Sequence, residues 1–286
     1  MKNIKAFDAH AHLSQNLEGV DDFLKIMDEV NIEKAIVIAG GTVPPDVLSR
    51  NYYHRGETSV PIGNAHILHL TQLARGRLLP FYFANPHEPA DRYAHHAPMF
   101  FGLKLAPIVH GIPFKDPRIH DLLYLADQFG HPIYSHCLPI PGFLVADYVE
   151  LAQSHPTCSF ILGHGGLGHC DFDGIDQIKS IGNLFLETSG AFSRAVRYAI
   201  EVLGADRVVF GTETPLQDPA VEITKLERLH LSDPVYEKVM RGNIGHLVPA
   251  LLNEVKMEPL SSLKGERPAL HSVTPVPFDR RLGLQR

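Results

Sequence analysis

Cysteine is scarce in this chain, positive charge is not in excess, and long apolar runs are missing. The three cysteines, Cys137, Cys158 and Cys170, are odd in number and lack CxxC spacing. This argues against a disulfide framework and for a reducing compartment, by default the cytoplasm. Lysine plus arginine number 26 against 32 acidic residues, giving a net charge of −6 with no basic cluster. Nucleic acid and anionic membranes are poor partners for such a chain. No stretch approaches the ~20 apolar residues that span a bilayer, and Asp8 interrupts the N-terminal segment before a signal-peptide core can form. Disorder-type composition is absent too: apolar residues make up 44% and charged residues 20%, enough to build a large core.

What is present is a rhythm. Short β-branched or aromatic runs alternate with longer amphipathic stretches. The pattern predicts eight strands, at Ile4–His10, Lys34–Ala39, Leu78–Phe83, Gly102–Leu105, Pro132–His136, Ser159–Gly163, Leu184–Thr188 and Arg207–Gly211. Helical spacing intervenes, as where Phe23, Leu24, Met27 and Val30 recur at three and four residues. Repeated β-then-α order implies a parallel sheet with right-handed crossovers. Eight units in 286 residues suggest a closed (β/α)8 TIM barrel, which typically needs ~250 residues. A doubly wound open sheet is the competing topology, but no Gly-rich phosphate loop follows the first strand. We therefore expect a barrel domain over residues 1–255. Residues 256–286 then form an extension, rich in Pro, Arg and Leu, that packs on the barrel or on a partner subunit, or is partly mobile. A homo-oligomer is expected. The polar segment Thr42–Pro61 follows the second strand, on the barrel's active-site face, as a substrate-covering loop or a plain surface excursion.

The chain holds 18 histidines, and position distinguishes some of them. In Asp8-Ala9-His10-Ala11-His12, period two places Asp8, His10 and His12 on one face. Two imidazoles two residues apart at a strand end can grip one metal, with Asp8 a step below as an orienting partner. Such a motif also arises by chance in a histidine-rich chain. Other polar groups, however, end other strands: His136 the fifth, His164 the sixth within Gly163-His164-Gly165-Gly166, and Glu213 the eighth within Phe210-Gly211-Thr212-Glu213. In a barrel all of these converge on one mouth.

With Gly102-Leu103-Lys104-Leu105 and Gly242-Asn243-Ile244, these motifs run in order over most of the chain and resemble the amidohydrolase superfamily. The resemblance is specifically to its amidohydrolase-2 branch, which includes aminocarboxymuconate-semialdehyde decarboxylase and lactonases acting on dicarboxylates. The resemblance implies that His10, His12 and His136 are metal ligands, with Glu213 as fourth ligand and general base. It implies that His164 meets the substrate or the bound water. Zn2+ is the expected cofactor, with Mn2+ or a second metal as alternatives. The chain departs from the family in having Glu213 where an aspartate is usual, and Ala106 where many relatives have histidine. Lys104 is either carboxylated, as in some amidohydrolases, or pairs with a carboxylate or with substrate. His110 and His169, which follow the fourth and sixth strands, are substrate-contact candidates. So is Arg55, which with Arg50 and Tyr53 could neutralise a substrate carboxylate from the long loop.

The expected activity is hydrolysis of an amide, lactone or cyclic C–N bond in a small molecule. Decarboxylation of an unsaturated or aromatic acid is the alternative, although decarboxylases of this branch often carry a Glu-containing first motif. A third reading, resting on Glu213, is an impaired barrel that retains its histidines.

Overall fold

The computed structural model describes residues 4–13, 20–39, 63–168 and 170–248, all within the compact unit Met1–Glu254. The loop Thr42–Pro61 with Arg50, Tyr53 and Arg55, His169, and the tail 256–286 lie outside the described residues.

Eight strands form one sheet in chain order: β1 (Ala6–Leu13), β2 (Ile32–Ala39), β3 (Leu78–Phe83), β4 (Leu103–Lys104), β5 (Ile133–Ser135), β6 (Phe160–Leu162), β7 (Leu184–Glu187) and β8 (Val208–Val209). Every neighbouring pair is parallel. Strand β3, Leu-Leu-Pro-Phe-Tyr-Phe, is apolar on both faces, because helices cover the outside and side chains fill the inside. The sheet closes where β8 returns to β1. Ala9 N donates to Phe210 O (2.9 Å), Glu213 N to His10 O (2.7 Å) and His12 N to Thr214 O (2.7 Å). The parallel bridge Ala11–Thr214 lies on the same seam. The sequence prediction of a (β/α)8 barrel is borne out.

The covering helices are α1 (Val20–Glu29), α2 (Asn64–Leu73), α3 (Ala90–His96), α4 (Pro107–His110), α5 (Pro117–Phe129), α6 (Val145–Ser154), α7 (Phe172–Gln177), α8 (Ser193–Leu203), α9 (Pro219–Glu227), α10 (Asp233–Glu237) and α11 (Asn243–Leu247). Each long helix buries one stripe. In α1 it is Val20, Phe23 and Met27; in α8 it is Ala195, Val196, Ala199 and Leu203. Helix α5 begins with Asp116, whose side chain accepts from Arg118 N, and ends at Gly130 in the left-handed region (φ 64°).

Two differences from the sequence reading have plain causes. Strand β1 runs on to Leu13, past the His10 predicted as its end, because the seam and the pairing of His12 with Ile38 supply hydrogen bonds that a polar motif does not advertise. Helices α3, α4 and α7 were not predicted. They bury only Tyr93, Pro107, and Gly174 with Ile175 respectively, too few residues to register a periodicity.

Candidate active site

The strand ends bring His10, His12, Lys104, His136, His164 and Glu213 to one barrel mouth. The ring centroids of His10 lie 4.8 Å from His12 and 5.1 Å from His164. One donor atom from each of His10, His12 and Glu213 falls within a mutual 4.8 Å, so these three can hold a metal ion. Two buried ring nitrogens of these residues, His10 Nε2 and His12 Nδ1, have no hydrogen-bond partner among the described residues. A buried polar atom without a partner carries a desolvation cost, and a cation between them would remove it. Burial, followed by the charge of Lys104, holds the His10 imidazole well below its ordinary range and that of His12 at about 3. Both rings are therefore neutral at pH 7, the form that ligates metal.

Glu213 reaches this group despite its longer side chain. Its Oε2 lies 3.3 Å from His164 Nδ1, and burial pushes its carboxyl upward. Both His164 (φ 59°) and Glu213 (φ 57°) hold left-handed backbone, which for residues with a Cβ costs ~1–3 kcal/mol each and concentrates at functional sites. The bond from Glu213 N to His10 O helps to hold that turn.

His136 shares the mouth but lies outside the three-atom cluster. Its ring centroid is 6.0 Å from that of His164, and its Nδ1 is 3.4 Å from Lys104 Nζ. Lys104 is buried, with Nζ 4.2 Å from the Tyr134 ring centroid. Burial brings its amine down to about 7, against the opposing pull of Glu213 and Glu187. An ammonium donating to His136 Nδ1 would place the ring proton on Nε2. A neutral amine accepting from Nδ1–H would free Nε2 for a metal. The protonation of Lys104 and the ligating capacity of His136 are thus coupled.

The remaining candidates separate. His110 sits at the end of α4 with its ring 5.7 Å from Phe83 and 6.3 Å from His87, and its buried Nε2 lacks a hydrogen-bond partner among the described residues. Burial, followed by the charge of His87, lowers it to about 4. Asp8 does not orient an imidazole. Its Oδ1 accepts from the backbone N–H groups of His10 and Thr212, both at 2.9 Å, and its Oδ2 from Thr212 Oγ1 at 2.5 Å. It ties β1 to the turn after β8, and burial pushes its carboxyl up to about 8.

The imidazole of His10 is instead held from across the barrel. Its Nδ1 lies 2.7 Å from Tyr134 Oη, which donates to Glu187 Oε2 at 2.9 Å. Ser189 Oγ also donates to Glu187 Oε2, at 2.8 Å, and lies 3.0 Å from His164 Nδ1. Tyr134, Glu187 and Ser189 were not among the residues picked from sequence. Two signals pointed at them: Tyr134 shares strand parity with His136, and Glu187 is an acid closing the apolar strand Leu184-Phe185-Leu186.

An amidohydrolase family model matches residues 7–249. The chain belongs to the amidohydrolase family. No curated protein matches it in sequence. Among solved structures, 5-carboxyvanillate decarboxylase from Sphingomonas paucimobilis superposes with a TM-score of 0.65 at 14% identity, covering 86% of this chain and 99% of that one. A dihydroxybenzoic acid decarboxylase from Polaromonas, with bound manganese and an inhibitor, gives 0.65 at 16% identity over 89% and 100%. A probable 2-pyrone-4,6-dicarboxylic acid hydrolase from Acinetobacter baumannii, with citric acid bound, gives 0.62 at 13% identity over 86% and 100%. At these identities the likeness speaks for the amidohydrolase fold, and both of the chemistries expected from sequence occur among the similar structures.

Proposed function

We propose that this amidohydrolase performs a metal-dependent hydrolysis on a small, carboxylate-bearing molecule, cleaving an amide, lactone or cyclic C–N bond. The observation that carries this reading is the grouping of His10, His12 and Glu213, in which the buried His10 Nε2 and His12 Nδ1 have no hydrogen-bond partner among the described residues. Two imidazoles and a carboxylate suit Zn2+, and Mn2+ is the other ion compatible with a nitrogen and oxygen donor set. A bound ion would supply Lewis acidity, bringing the pKa of water down toward about 7.

The chain's own groups supply the rest. Glu213, at the mouth and in contact with His164, takes a proton from the attacking water and returns it to the leaving atom. Its raised carboxyl matches that exchange better than an ordinary, fully ionised glutamate would. The extra methylene relative to the family's usual aspartate leaves its carboxylate among the donors, which argues against an impaired barrel. Lys104 forms no ion pair with a carboxylate among the described residues, so its amine is available to a substrate anion.

That same lysine favours a second reading, decarboxylation. A buried cation beside a carboxyl whose pKa is raised can hold an acid substrate while Glu213 delivers the proton to the carbon that loses carbon dioxide. The decarboxylases among the similar folds point the same way.

Metal-loaded protein offered a panel of hydroxybenzoic acids and of dicarboxylate lactones separates the two. Acid release from a lactone without carbon dioxide supports hydrolysis, and stoichiometric carbon dioxide from a benzoate supports the second reading. Equal turnover of either class after the metal has been removed would defeat both.

A further inference from the structure

Beneath the mouth, one side chain receives more hydrogen bonds than any sequence motif suggests. Glu187, fully buried, accepts from Tyr134 Oη (2.9 Å), His164 N (3.1 Å) and Ser189 Oγ (2.8 Å) on Oε2, and from Ser189 N on Oε1. Its Oε2 also stands 4.0 Å from His10 Nδ1 and 3.9 Å from His164 Nδ1. These three residues meet the spacing of a metal site, but the chemistry argues against one. The carboxylate is already engaged by four donors, and His10 Nδ1 by the tyrosine.

Counting protons gives the arrangement a different meaning. Tyr134 has one hydroxyl proton, and it goes to Glu187. Its oxygen can therefore only accept from His10, which must carry a proton on Nδ1. The nitrogen of His10 left without a proton is then Nε2, the atom that has no hydrogen-bond partner among the described residues. The same count applies to His164. The Ser189 hydroxyl proton goes to Glu187, so Ser189 Oγ accepts from His164 Nδ1–H.

We propose that Glu187 is the positioning residue of this site: through Tyr134 and Ser189 it fixes both His10 and His164 as Nδ1–H tautomers, leaving Nε2 of each ring as the basic nitrogen. Two strand-end glycines are shaped to this purpose. A Cβ at Gly163 would collide with Tyr134 Oη, and one at Gly211 with Glu187 Oε1. The effect on metal affinity rests on the metal-dependent reading above; the tautomers do not.

The test is nitrogen-15 NMR of the histidine rings in metal-free, full-length protein, with His10 and His164 assigned by comparison with His10→Ala and His164→Ala. Wild-type protein should show both rings protonated at Nδ1. Tyr134→Phe should release His10 toward the Nε2–H form while leaving His164 unchanged, and Ser189→Ala in a Glu213→Ala background, which also removes the carboxylate 3.3 Å from His164 Nδ1, should do the reverse. Glu187→Gln, whose amide can donate, should turn the tyrosine hydroxyl toward His10 and invert its tautomer. Zinc affinity by titration calorimetry should fall about 10–100-fold in Tyr134→Phe, with circular dichroism confirming the fold. An Nε2–H form of His10 in wild type would overturn the proposal. So would a Tyr134→Phe protein that keeps both the tautomer and the affinity. If Tyr134→Phe does not fold, Ser189→Ala and Glu187→Gln still decide. Wild-type protein that shows both Nδ1–H rings yet binds no metal would support the positioning role and defeat the metal reading instead.

Discussion

At the scale of single residues, the site depends on which nitrogen or oxygen faces which neighbour. Replacing Glu213 by Gln removes a titratable proton carrier while keeping nearly the same shape. We expect kcat to fall by roughly 10²–10⁴-fold with little change in the melting temperature; steady-state kinetics beside a thermal melt checks this, and undiminished kcat would remove Glu213 from the chemistry. His10 and His12 were legible in the sequence from the alternation of Asp8-Ala9-His10-Ala11-His12, and His164 and Glu213 because each follows a recognisable strand end. The hydrogen-bond partners were not. Period two puts Asp8 on the face of His10, but only coordinates show that its carboxylate turns to the backbone of His10 and Thr212 while Tyr134, 124 residues away in sequence, meets the ring. Side-chain partners across a barrel leave no mark in local pattern.

At the scale of elements, strand ends and helix caps set the precision of that chemistry. Gly163→Ala places a methyl against Tyr134 Oη at the end of β6; we expect a loss of about 1–3 kcal/mol, as for overpacking in a core, together with lower activity, and urea unfolding with a parallel assay measures both. Farther from the site, His131 links α3 to the start of β5 through Tyr93 Oη at 2.7 Å. Burial lowers its imidazole from 6.5 to about 4. The folded chain then binds fewer protons there than the unfolded chain between those values, so stability is full above about pH 6.5 and is lost as pH falls toward 4. Urea midpoints at pH 7 and pH 4 should show a smaller acid loss in His131→Gln than in wild type. Equal losses would mean that His131 keeps its ordinary affinity for protons. Helix α1, whose Phe23, Leu24 and Met27 recur at helical spacing, was readable in advance, whereas α3, whose single buried residue is Tyr93, was not.

At the scale of the whole molecule, the barrel was legible because eight apolar runs in strict alternation with helices admit few closed arrangements. The seam was not, because strand ordering follows from sequence while the hydrogen bonds that close a sheet do not. If a metal completes the site, its removal acts on the entire fold. Zinc at 100 times its Kd stabilises by about 2.7 kcal/mol, or roughly 5–10 °C in Tm for a domain of this size. A melt with and without chelator reads this directly, and superimposable curves would count against a bound ion. The seam carries a consequence for how the molecule comes into being. The bonds that shut the barrel, Glu213 N to His10 O and Thr212 N to Asp8 Oδ1, are made by the residues of the mouth itself. During synthesis the first strand must therefore wait for more than 200 residues to emerge before its histidines face their carboxylate. A shortened version of the barrel that stops before the eighth strand lacks both Glu213 and the bonds that hold that carboxylate's turn against His10.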